Sequence, residues 1–123
     1  MGMGKNFFES SAECRTLFED AGKVLNRDIA ALCFNGPEDD LKLTENAQPA
    51  ILTHSIIALK RLTENGIESV MVAGHSLGEY SALHAAGVFS FEDGVRLVHL
   101  RGKFMQEAVP QGRGAMAAVL GAD

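Results

Sequence analysis

Ile67-Glu68-Ser69-Val70-Met71-Val72-Ala73-Gly74-His75-Ser76-Leu77-Gly78-Glu79-Tyr80-Ser81-Ala82-Leu83-His84-Ala85-Ala86 is the stretch on which the reading of this chain turns. Residues 70–73 form a short apolar run, the pattern of a strand buried on both faces. Gly74-His75-Ser76-Leu77-Gly78 follows as G-x-S-x-G, and from Glu79 to Gly87 the composition is helical. Strand, sharp turn and helix in that order predict a nucleophile elbow with Ser76 at its apex. Glycines at 74 and 78 would remove side chains where strand and helix pass closest, and the turn is expected to be strained. Ser76 Oγ would stand above the sheet edge with the positive end of the helix beneath it. The Leu77 N–H would then face a developing oxyanion. With 13 Gly among 123 residues, chance supplies about 0.08 such pentapeptides, which favours a functional serine over a plain glycine turn.

Upstream, Asn46-Ala47-Gln48-Pro49 begins a long helix with proline in its first turn. Ile51, Leu52, Ile56, Ile57, Leu59 and Leu62 cover most of its girth, which predicts a helix sandwiched between neighbours. Asn65-Gly66 ends it. His54 reads as a hydrogen-bonded core histidine, because no second ligand type stands at helical spacing. Earlier still, Ser10-Ser11-Ala12-Glu13 resembles a capping box. Behind it Cys14, Leu17, Phe18, Ala21, Val24 and Leu25 share one helix face. Asp28 caps a short helix through Cys33, Gly36-Pro37 breaks the chain, and residues 38–43 offer an acidic turn. Downstream, Ser90-Phe91-Glu92-Asp93 starts a helix that runs to about Ala108 and stops at Pro110. Val95, Val98 and Met105 lie on one face of it, with Leu97, Leu100 and Phe104 beside them. Residues 111–114 read as a loop and 115–120 as a final strand. Helices alternating with strands predict an α/β fold with a parallel sheet.

The composition bounds the function. A chain of 123 residues with 46% hydrophobic residues has room for one domain with a real core. A net charge of −5 argues against nucleic acid as the main partner. No apolar run approaches the roughly 18 residues of a membrane span, so no membrane is expected. Met1-Gly2-Met3-Gly4-Lys5-Asn6 lacks the apolar segment of a secretory signal. Cys14 and Cys33 are the only cysteines and have no metal-binding spacing, which fits a reducing cytoplasm. Cys14 reads as core packing.

A serine nucleophile needs a general base. The His75 side chain should leave the turn in another direction, and His84 lies about 12 Å of helix rise from Ser76. His99 stays open. Hydrolases with this elbow place the base downstream of the serine, after at least one further strand. The base is therefore expected outside this chain. Ten residues separate Ser76 from Ala86 and ten separate Phe91 from Arg101, about 15 Å of helix each. An antiparallel hairpin would thus return Arg101 to the level of the elbow, with Arg96 and Lys103 at other levels. Arg101 fits equally a surface or helix-dipole arginine and a bidentate grip on a substrate carboxylate.

Gly74-His75-Ser76-Leu77-Gly78-Glu79-Tyr80, Asn46-Ala47-Gln48-Pro49-Ala50-Ile51 and Arg101-Gly102-Lys103-Phe104-Met105-Gln106 together resemble the bacterial malonyl-CoA–acyl-carrier-protein transacylases. The acyltransferase domains of polyketide and fatty-acid synthases share a looser version. The resemblance covers essentially the whole chain. It implies a hydrolase-like parallel sheet with flanking helices in a large subdomain, here residues 1–113. Residues 114–123 would begin a ferredoxin-like small subdomain, with 115–120 its first strand. It implies Ser76 as the acylated nucleophile, Leu77 as an oxyanion N–H donor, Arg101 as the binder of the malonyl carboxylate and Gln48 as a lining of the acyl pocket. Malonyl-CoA and acyl carrier protein are the implied partners in fatty-acid biosynthesis, with no metal or organic cofactor. The family's Gly-Gln-Gly-Ser-Gln segment falls before Gly2-Met3-Gly4-Lys5, and its base histidine falls after Asp123. For Glu79, a favourable place in the first turn of a helix is sufficient explanation. A serine esterase or thioesterase would share the elbow without needing Arg101. A non-catalytic fragment would only dock a carrier protein.

Overall fold

Local sequence sets the helix boundaries in a computed structural model that describes residues 1–109, 112–114, 117 and 119–121. The described elements are α1 (Lys5–Ser10), α2 (Ala12–Leu25), α3 (Ile29–Asn35), α4 (Glu38–Lys42), α5 (Thr44–Glu64), α6 (Gly78–Ala85) and α7 (Phe91–Ala108). Helix α1 was not legible in the sequence. It displaces the expected capping box by one residue: Ser11, not Ser10, is the N-cap of α2 and accepts from the Cys14 N–H. Asp28 caps α3 by accepting from the Ala31 N–H, and Ser90 caps α7 by accepting from the Asp93 N–H, which satisfies donors a helix start leaves free.

Helix α5 starts earlier than expected, so Pro49 lies inside it and not in its first turn. Around α5 the core gathers Cys14, Phe18, Ala21, Ile29, Cys33, Ala50, Leu52, Ile56, Ile57, Val95 and Val98. The helix is less enclosed than its composition suggests, because Ile51 and Leu62 are exposed. His54 is half-buried, tilted against the Phe7 ring at 5.8 Å; among the described residues its ring makes no hydrogen bond. Aromatic stacking replaces the bond expected of it. On α7, Val95 and Val98 are fully buried, whereas Leu97, Leu100, Phe104 and Met105 are exposed.

Helix α7 runs antiparallel to α5. A Cβ on Gly102 would come within 2.5 Å of the Thr44 carbonyl oxygen and 2.6 Å of Glu45 Cα, while one on Gly94 would meet Leu52 at 3.3 Å. Any side chain at 102 would push the two backbones apart. Helix α6 closes a hairpin on α7: Gly87 N–H bonds the His84 carbonyl and Val88 N–H bonds the Leu83 carbonyl, the paired C-terminal bonds of a Schellman motif. His84 packs on Phe91 at the closed end, and Tyr80 lies over Arg101 at the open end. The return predicted from helix lengths is present.

The expected strand at residues 70–73 is not. Among the described residues there is no strand, and Val70 and Met71 are 96% and 86% exposed. A strand exists only through the ladder it shares with a neighbour, and no partner segment pairs with this one here. Half of the expected final strand at 115–120, with the start of a small subdomain, falls outside the described residues, as does Pro110, and residues 117, 119 and 120 are in no strand.

Both cysteines are free and buried. Burial pushes the Cys33 thiol up from 9.0 to about 11, because the apolar surroundings disfavour a thiolate. Between those values the unfolded chain has released the proton and the folded chain holds it. Stability should therefore fall as pH rises from about 9 to about 11. Thermal unfolding across that range checks this, and Cys33→Ala should flatten the part of the decline that Cys33 causes.

Candidate active site

Ser76 occupies the turn before α6 with φ of 54°, one of two described non-glycine residues with positive φ, the other being Asn26. A side chain in this left-handed region costs about 1–2 kcal/mol, and the surrounding turn holds it there. Gly78 N–H bonds the His75 carbonyl at 2.9 Å and Tyr80 N–H bonds the Leu77 carbonyl at 3.0 Å. The backbone at Gly74 lies directly against that of Gly78 and Glu79, so a Cβ at 74 would overlap the Gly78 carbonyl group. Gly78 itself faces open space; of the two glycines, close approach requires the first alone. The Leu77 N–H has no protein acceptor among the described residues, as an oxyanion donor requires.

Three residues singled out in the sequence meet at this turn. Arg101 Nη2–H donates to Ser76 Oγ at 3.0 Å, and Arg101 Nη1–H donates to Gln48 Oε1 at 2.6 Å. Gln48 is 5% exposed, whereas Ser76 faces solvent. Arginine has donors only, so it selects the oxygen end of the Gln48 amide. The Gln48 NH₂ group therefore points away and donates to Met105 Sδ at 3.4 Å. The Arg101 guanidinium also stacks over the Tyr80 ring at 5.7 Å. Beside it opens an apolar groove of about 500 Å³ lined by Tyr80, Leu97, Leu100, Phe104 and Met105. Spacing alone suits Arg101 to solvent and to the site equally; in the structure it donates to Ser76 Oγ.

A profile of the acyl transferase domain family matches residues 1–122. The chain belongs to the acyl transferase family. Within this acyl transferase family, the chain is 52% identical over 123 residues to the malonyl CoA-acyl carrier protein transacylase of Bacillus subtilis strain 168, covering 100% of this chain and 39% of that protein. It therefore spans well under half the length of this relative. The solved malonyl CoA-acyl carrier protein transacylase of Clostridium perfringens superposes with a TM-score of 0.85 at 49% identity, over 91% of this chain and 35% of that one. A second solved structure, a malonyl-transacylase in complex with its type II PKS acyl-carrier protein, gives 0.85 at 44% identity, over 91% and 37% of the two chains. The acyltransferase fold is thus shared over 91% of this chain.

None of the four histidines bonds Ser76 among the described residues. His84 Nδ1 meets the Phe89 carbonyl at 3.1 Å and His99 Nδ1 meets the Glu45 carbonyl at 3.0 Å. Other contacts carry no signal in the local sequence. Tyr80 and Met105 lie inside quoted motifs, but their partners are 21 and 57 residues away in the chain. Asn46 is a structural knot: it accepts from Arg27 Nη1–H at 3.0 Å and donates to the Asp40 carbonyl at 2.8 Å. Arg27 also pairs with Asp40 at 2.9 Å. Nothing in the spacing of the sequence announced this knot. Among the described residues no cluster of His, Cys, Asp and Glu could hold a metal ion, and no helix is long and apolar enough to cross a membrane.

Proposed function

We propose that this chain carries the acyl-accepting serine and the carboxylate-binding arginine of a transacylase that moves a malonyl group from coenzyme A to acyl carrier protein in fatty-acid biosynthesis. The observation that carries the proposal is the convergence of Arg101, Gln48 and Ser76 on one turn. Ser76 Oγ attacks the thioester carbonyl and gives up its proton to a base. The Leu77 N–H holds the oxyanion, and the C–S bond breaks to release CoA as its thiol. The phosphopantetheine thiol of the carrier protein then attacks the malonyl-serine ester, and the serine regains its proton. The free malonyl carboxylate is gripped by the Arg101 fork, and Gln48 lines the acyl pocket. Each step exchanges one acyl bond for another, so no metal or organic cofactor enters.

The finer architecture belongs to the same proposal. Residues 70–73 are apolar and exposed here, which suits an inner strand of a hydrolase-like parallel sheet once neighbouring strands are present. Residues 1–113 would then form part of the large subdomain, and 114–123 the start of a ferredoxin-like one. Two free cysteines suit a cytoplasmic setting.

The test uses a chimera in which this chain replaces the matched 123 residues of the Bacillus subtilis relative. Incubated with malonyl-CoA, it should gain one malonyl group on Ser76, located by peptide mass spectrometry. Adding phosphopantetheinylated carrier protein should discharge that group onto the carrier. Rapid release of free malonate without a carrier would mark an esterase and defeat the transfer reading.

A further inference from the structure

Pro49 lies inside α5. Proline has no N–H, so the Glu45 carbonyl four residues earlier loses its helical donor, and the pyrrolidine ring presses on that same carbonyl. The orphaned oxygen is met from another helix: His99 Nδ1 lies 3.0 Å from it. A carbonyl has no proton to give, so Nδ1 carries the hydrogen and the neutral ring keeps its lone pair on Nε2. Gly102, one turn along α7 from His99, packs directly against the backbone of Thr44 and Glu45. Between them sits Arg101, which reaches Gln48, three residues beyond Glu45.

We propose that His99 is a positioning residue: its bond to the carbonyl that Pro49 leaves bare fixes the register of α7 on α5, and thereby holds Arg101 against Gln48 and Ser76. The consequence for catalysis rests on the malonyl-transfer reading; the clasp itself does not.

Two measurements on the 123-residue chain test the clasp. Two-bond ¹H–¹⁵N spectra, at a pH where imidazole is neutral, should show His99 as the Nδ1–H tautomer. His99→Ala should shift the Arg101 guanidinium signals. In a Pro49→Ala background residue 49 supplies the missing N–H, so the same change should leave those signals nearly unmoved. An Nε2–H tautomer, or Arg101 signals that ignore His99→Ala, overturns the proposal whatever the chain catalyses. In the chimera, His99→Ala should raise KM for malonyl-CoA about five- to tenfold with kcat little changed, the effect of one hydrogen bond. His99→Gln, which keeps a donor, should recover most of it, and Pro49→Ala should reduce the effect of His99→Ala to under about twofold. Equal KM effects in both backgrounds also overturn the proposal. A chimera with His99 intact that transfers no malonyl defeats the functional reading instead, leaving the spectra to judge the clasp.

Discussion

Arg101→Ala in the chimera should cut kcat/KM for malonyl-CoA by about ten- to 150-fold while leaving acetyl-CoA unchanged or better used. The range follows from the worth of hydrogen bonds to a charged group, about 1.5–3 kcal/mol, converted at about 1.4 kcal/mol per factor of ten. The asymmetry follows from geometry. Arg101 reaches both Ser76 Oγ and Gln48 Oε1, so on the proposed function a carboxylate on the acyl chain of a Ser76 ester would come within reach of its fork. An acetyl group has nothing for the fork to hold and loses nothing when it is gone. Lysine should restore only part of the preference, because it keeps the charge without the two parallel donors. An unchanged malonyl-to-acetyl ratio would make Arg101 a partner of Gln48 and Tyr80 alone, and would remove the chemical basis of the malonyl assignment.

The isolated chain should be acylated by malonyl-CoA about 10²–10⁴-fold more slowly than the chimera, the span general-base catalysis contributes. His84 and His99 each spend Nδ1 on a backbone carbonyl, His54 packs against Phe7, and none of the four bonds Ser76 among the described residues. The serine keeps its strained turn and its arginine, with no histidine bonded to it among the described residues. Time-resolved intact mass on both proteins measures the ratio. Equal rates would mean that a histidine of this chain serves as the base, with His75 the first to replace.

The sequence carried the local half of this structure and missed the half that depends on distant residues. Caps at Asp28 and Ser90 are local chemistry, written in three or four residues, and both helices start where they predict. The level of Arg101 was legible because helix rise is constant and the connecting turn short. Residues 70–73 form no strand among the described residues, since an apolar run states what would be buried and not whether a neighbour is there to bury it. The partner of His99 was hidden for a related reason. Pro49, expected in a first turn, signals no missing donor there; the structure puts it inside α5, and the residue that answers it is 54 positions from Glu45. Gln48 was placed on resemblance, and the side chain that fixes its far end, Met105, gave no signal of its own.

Ser76 sits at φ 54°, a conformation that glycine adopts freely and a residue with a Cβ does not. Breeding this sequence for heat resistance alone would favour glycine at position 76, and the more durable descendants would be the ones that had lost the hydroxyl. Thermostability screens of this chain therefore need activity as a second criterion, because at this one position robustness and chemistry pull in opposite directions.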